Sequence, residues 1–398
     1  MISPHGRRKR SDPTARLEAV LGLPPEPSSC AALLEATQDP SLQVARAALA
    51  RLMDLGGREE ARVLRERLLD ADLALVRASA ATLRALDDDH VVEVACEGLS
   101  DPVLSRRLAA ALTLRELAEE TTAPALLSAL RDPIAAVRGA ALDTLATLRL
   151  GAAAEAECAR MLADHDSSVR AAAVRALLRI SRDPQRRVQR SVTDAAKNVR
   201  LELARACALF DDEMVRALLG DVEPDVRASV AWALLEAPRE TLVAPLVSAL
   251  ADPDWHVRRA AARALGATGQ DRGADALVNA LADPHALVRA AALRSLHEIF
   301  GTGLIDVLSA RLGTENASSR IAIVHALATC DAGAASRRIA ALHDDPSPDV
   351  RIAVAHTLAN LKPSAAKRIL ERLVGDQDEG VRHAAAVALD RIGDGDPA

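Results

Sequence analysis

One arginine returns about every 31 residues along most of this 398-residue chain. It stands at Arg77, Arg107, Arg138, Arg170, Arg200, Arg227, Arg258, Arg289, Arg320, Arg351 and Arg382, and a further copy of the frame carries Ala45 in its place. A unit of this length holds one small supersecondary element that cannot bury its apolar face alone. Neighbouring copies must stack to make a core. That excludes an ordinary globular domain and sets the frame for every other residue.

The best copies read DPIAAVRGAALDTL from Asp132, DPDWHVRRAAARAL from Asp252 and DPHALVRAAALRSL from Asp283. With Asp numbered 1, Val is 6 and Arg is 7. Ten of twelve copies have Asp at 1, with Ala71 and Thr314 departing; ten have Val at 6, with Arg106 and Ser319 departing. Asp followed by Pro predicts a helix starting at each Asp, because the carboxylate caps free amides and Pro tolerates the first helical position. Positions 6, 9, 10, 13 and 14 then share one apolar face of this B helix, and positions 1, 5, 8 and 12 point away from it. A second apolar segment precedes each Asp, such as APALLSAL (123–130) or ADALVNAL (274–281), and predicts a short A helix. No stretch alternates with period 2, so no sheet is expected. Position 7 falls at the edge of the buried stripe. Its arginine is expected to pair with an Asp of a neighbouring repeat, giving a structural ladder that includes Arg138, Arg170, Arg258 and Arg289 with Asp132, Asp164, Asp252 and Asp283.

The unit D-P-x-x-x-V-R-x-A-A-A-x-A-L resembles HEAT repeats of the short, phycobilisome-lyase type over residues 28–395. The resemblance implies an all-α, right-handed α-solenoid of about twelve two-helix repeats, with B helices lining the concave side. It implies little about function. Proteins of this kind include bilin lyases, an iron-dependent peptide hydroxylase, DNA glycosylases and many scaffolds, so the site must decide. The expected organisation is a flexible basic tail at 1–12 and one solenoid at 13–395, opened by a half-repeat cap at 13–24.

Composition fits thin layers. Aromatics are limited to Trp232, Trp255, Phe210 and Phe300, where globular cores rely on them for buried area. Five scattered cysteines (Cys30, Cys96, Cys158, Cys207, Cys330) without a CxxC pair suit reduced, mostly buried thiols. No apolar run reaches the ~18 residues of a membrane span, and the start MISPHGRRKR has no apolar stretch of a secretory signal behind it. A cytoplasmic, bacterial, monomeric protein is the expectation. The net charge of −6 argues against a surface devoted to nucleic acid.

Departures from the repeat carry the functional signal. Position 12 reads Arg175, Arg205, Trp232, Arg263, Arg294, His325 and His356 from the fifth to the eleventh repeat, and Asp143 is the column's one acid. His256 and Arg259 lie at positions 5 and 8 of the eighth repeat, beside Trp255 at position 4. Tryptophan with arginine is a frequent interface anchor. These residues predict a groove that holds an acidic protein segment; a solvated polar face and a Trp that fills the short 27-residue junction between Arg200 and Arg227 are the competing readings. A second anomaly, residues 170–205, carries ten bases and three acids, including Arg179, Arg182, Arg186, Arg187 and Arg190. Such a cluster suits a carboxylate-rich protein or a nucleic-acid backbone.

Phosphate-loop, GxSxG and HExxH motifs are absent from the sequence. Only His297-Glu298 matches the paired His-Glu motifs of the iron hydroxylase, and no ligand set recurs with metal spacing. The expectation is a non-enzymatic binding scaffold with no cofactor and no metal. Bilin-lyase-like or chaperone-like activity, with arginines holding the propionates and Trp stacking on the tetrapyrrole, is the first alternative. Nucleic-acid backbone binding is the second. No membrane insertion is expected.

Overall fold

A computed structural model describes residues 12–24, 26–37, 39–55, 80, 83, 90–117, 119–148, 151–313, 316–361 and 366–393. Among them every regular element is helical. Packing divides the chain into two compact units, Met1–Leu203 and Ala204–Ala398. Each is a stack of two-helix repeats, the all-α solenoid architecture. The expected basic tail and the rung at Arg77 lie outside the described residues.

In the first unit the B helices Leu104–Leu117, Ala135–Leu145 and Ser167–Ile180 follow A helices such as Val91–Gly98 and Ala123–Ala129. In the second unit the B helices Pro224–Ala233, Trp255–Thr268, Ala286–Phe300, Ala317–Leu327, Pro348–Leu361 and Glu379–Gly393 each follow a short A helix. Each of these B helices packs on its own A helix, and most pack on the next B helix, as Trp255–Thr268 does on Ala286–Phe300. This double packing explains a difference from the sequence reading: the buried face is wider than expected. Position 11 is buried at Leu142, Val174, Ala262, Val324 and Ala355, alongside Val at 6 and the residues at 10, 13 and 14. Alanine there lets helices approach closely. Gly266 marks one close approach, since a Cβ on it would lie 2.6 Å from the Ser295 Cβ on the next B helix.

The B helix does not start at Asp. In all ten Asp-bearing copies a carboxylate oxygen accepts the backbone N–H two residues on, at 2.7–2.9 Å. That is an Asx turn ahead of the helix. The helix then starts near position 4, and position 3 caps it where it can: Asp166 accepts from Ser168, Asp254 from His256, and His285 from Leu287. The shift has a physical cause. The Asp carboxylate also receives the arginine of the preceding repeat, so it faces inward, against the expectation that position 1 points away.

The arginine at 7 joins two repeats. Arg107, Arg138, Arg170, Arg227, Arg258, Arg320 and Arg351 each place Nε on one oxygen and Nη2 on the other oxygen of the next Asp: Asp132, Asp164, Asp194, Asp252, Asp283, Asp345 and Asp376. The distances are 2.7–3.4 Å. In most of them Nη1 donates to carbonyls of its own turn, as Arg138 does to Asp132 at 2.8 Å. Planarity makes this possible: one guanidinium presents a fork to a carboxylate and keeps a donor for the loop behind it. Sequence framing missed Arg16. It lies on the cap helix Pro13–Leu21 and grips Asp39 at 2.7 and 2.9 Å, supplying a rung outside the 31-residue register.

Cys158 and Cys207 are buried, and burial pushes both thiols up to about 11, away from reactivity at neutral pH. Cys96 and Cys330 are half-buried and free. No helix among the described residues is long and apolar enough to cross a membrane.

Candidate functional site

Position 12 of the B helix is where the candidate residues gather, and the two units differ in what they do with it. In the first unit Arg175 is not a free cation. Its Nη2 donates to both oxygens of Asp143 at 2.9 and 3.1 Å, and its Nη1 donates to Glu202 at 3.2 Å. Burial alone would lower the Arg175 pKa; the two carboxylates outweigh it and raise it. The single acid of the column thus neutralises the neighbouring arginine.

In the second unit Arg263 is also committed. Its side chain is 12% exposed, and Nη1 and Nη2 donate to Glu298 at 2.7 and 3.0 Å while Nη1 also reaches Ser295 Oγ. Glu298 accepts from Arg294 as well, at 3.1 Å, and the Arg263 guanidinium holds its carboxyl below the usual range. Two arginines of the column of cations and aromatics are thus engaged by carboxylates of the chain itself. Acids from positions 9 and 16 of other repeats reach across and pair with them. Arg294 keeps a side chain 71% exposed, and Arg205, His325 and His356 are exposed. Desolvation, then the charges of Arg289 and His356, hold the His325 imidazole below its ordinary pKa.

The aromatic residues form a tighter group. Trp232 is 38% exposed, and the Arg259 guanidinium from the next repeat lies 5.4 Å above its ring, a cation–π geometry. Trp255 stacks on His256, with ring centroids 3.7 Å apart, and on His285 at 3.8 Å. His256 Nδ1 is 3.0 Å from Asp254. Stacked on both imidazoles, Trp255 is half-buried, while Trp232 stays accessible. His285 was not singled out by sequence, because its contact with Trp255 crosses a repeat boundary.

The basic cluster of the first unit divides as well. Arg187 pairs with Glu155 at 2.6 Å. Arg179, Arg182, Arg186 and Arg190 are exposed, and no carboxylate among the described residues pairs with them. Three of these four sit around the short helix Pro184–Val188 and the turn after it, where the A segment has traded apolar residues for arginine. Among the described residues no group of three His, Cys, Asp or Glu side chains converges as metal ligands would.

A family model described as HEAT repeats matches residues 92–178, 213–297 and 335–398. The chain is a HEAT-repeat protein. The match says nothing of the phycobilisome-lyase type in particular. Among curated proteins none matches the sequence. Solved structures share the fold at low identity. This HEAT-repeat chain is similar to Kap121p bound to Pho4p, with 13% identity and a TM-score of 0.54, over 97% of this chain and 52% of that one. It is similar to Kap121p bound to Ste12p, with 14% identity and a TM-score of 0.55, over 96% and 45%. The chain therefore spans about half of Kap121p.

Proposed function

We propose that this HEAT-repeat chain is a non-catalytic scaffold that holds an acidic protein segment on the B-helix face of its second unit. The accessible Trp232 under Arg259 carries the reading. An exposed indole paired with a guanidinium offers apolar area and positive charge at one point, which is the composition of binding hot spots. Arg294, His325 and His356 extend positive or protonatable groups along the same position. Kap121p, whose fold this chain shares, is bound to Pho4p in one structure and to Ste12p in another, which gives the architecture a precedent for holding a protein.

The test uses a fluorescein-labelled decapeptide of alternating glutamate and leucine. Anisotropy should show binding that weakens with salt, since exposed charges are screened within about 8–10 Å at physiological ionic strength. Trp232→Ala with Arg259→Ala should weaken it at least about tenfold, or ~1.4 kcal/mol, with the helical circular dichroism unchanged. Arg263 is left intact because its pairing with Glu298 makes it structural. Equal affinity in the double variant would refute the assignment.

The four unpaired arginines support a second reading, backbone contacts to nucleic acid. Short duplex DNA at low salt should then be retarded in a gel, and Arg186→Glu with Arg190→Glu should abolish the shift. No shift in the unaltered protein dismisses this reading.

A further inference from the structure

The arginine–aspartate ladder has one internal rung without its aspartate. Asp is missing at position 1 in two copies, Ala71 and Thr314. Ahead of Ala71 the partner is missing too, since that repeat carries Ala45 in place of arginine. Ahead of Thr314 the arginine remains: it is Arg289. Its Nη1 donates to the carbonyls of Asp283 and Pro284 at 2.9 and 3.0 Å, so the guanidinium is held by its own turn as in the other rungs. No carboxylate among the described residues pairs with it. The seven position-7 arginines that grip the next Asp have side chains 5–17% exposed, whereas Arg289 is exposed.

A cavity of about 490 Å³ opens beside Arg289, which lines it with His325 and Ser318 and with the apolar side chains of Leu281, Leu293 and Ile321. Its size is that of a small-molecule or side-chain pocket, apolar with a few polar groups. Asp283, also at its rim, is already taken by Arg258.

We infer that this pocket is a receptor for a carboxylate carried on an apolar body, which docks on the Nε and Nη2 donors of Arg289 as an aspartate does on the intact rungs. The apolar body packs against Leu281, Leu293 and Ile321. The carboxylate can come from a free aliphatic acid or from an aspartate side chain of a partner peptide. The site shares His325 with the acidic-segment reading but needs neither Trp232 nor Arg259, so the Arg289 experiment and the Trp232/Arg259 double variant test the two separately.

The experiment follows the Nε–H resonance of Arg289 by NMR, assigned as the signal lost in Arg289→Gln. The probes are hexanoate, hexanol, and an acetylated and amidated peptide with one aspartate between leucines. Hexanoate, the peptide or both should shift the resonance saturably; which of them does so identifies the source. Hexanol should not. Thr314→Asp supplies the missing carboxylate from the chain itself. That variant should show the Arg289 resonance already shifted, raise the melting temperature and abolish the response to both probes. The inference is overturned if Thr314→Asp responds like the unaltered protein, if hexanol acts as hexanoate does, or if neither carboxylate moves the resonance up to about 20 mM, beyond the ~1 mM that corresponds to weak specific binding.

Discussion

Arg138→Met should lower the stability of this protein by about 3–5 kcal/mol, the cost of removing one partner from a buried ion pair. Arg138 and Asp164 are the most enclosed rung, with side chains 5% and 6% exposed. Methionine keeps the aliphatic stem packed but leaves the Asp164 carboxylate buried without its countercharge. It also strips donors from the carbonyls of Asp132 and Pro133. Urea unfolding followed by circular dichroism should show the midpoint falling by about 1–2 M, given slopes of ~2–3 kcal/mol/M for chains of this size. Two controls identify the cause. Arg382→Met removes only donors to the Asp376 and Gln377 carbonyls on an exposed side chain, and should cost about 1 kcal/mol. Adding Asp164→Asn to Arg138→Met should recover part of the loss, because asparagine carries no charge yet still accepts from the Asp166 amide. A double variant no more stable than Arg138→Met alone would mean that the orphaned charge is not what destabilises.

The ladder shows how far this fold can be read from residues. Arginine at 7 and aspartate at 1 recur together, and opposite charges at a fixed offset in a stacked repeat have one place to meet. Their contact was therefore legible before any coordinates. The Asx turn was not, because capping propensity alone cannot tell a cap from a carboxylate shared between an amide and the previous repeat. Arg16 escaped because the cap helix does not share the 31-residue register. At the candidate site the limit is sharper. Arg175 and Arg263 stand in a column that reads as cationic. Their partners Asp143, Glu202 and Glu298 occupy positions 12, 9 and 16 of other repeats. Reading one column at a time cannot register contacts that cross columns, and so it overstated the free charge. Trp232 and Arg259 were each visible as departures on adjacent repeats, but their contact appears only in the fold.

Acid should dismantle the ladder from many rungs at once. The Arg170 guanidinium holds Asp194 below the usual carboxylate range, and Arg351 and Arg16 do the same for Asp376 and Asp39, against a smaller opposing effect of burial. For Asp164, Asp283 and Asp345 burial is the largest single influence and would raise the value; the arginine fork and the amide two residues on together outweigh it, so these too are lowered. A carboxyl with a depressed folded-state pKa contributes its full stabilisation above the unfolded-state value, about 3.9 for aspartate. That contribution is lost as pH falls through the lower, folded-state values, because the unfolded chain takes up protons first. The melting temperature should therefore be nearly flat from pH 7 to about 5 and then drop steeply below pH ~4. Arginine stays protonated throughout, so the loss comes from the carboxylates alone. Asp194→Asn with Asp376→Asn removes two of the six linked protons. That variant should begin less stable at pH 7 and lose less of its remaining stability on acidification. A slope as steep as that of the unaltered protein would show that the acid sensitivity resides outside the ladder.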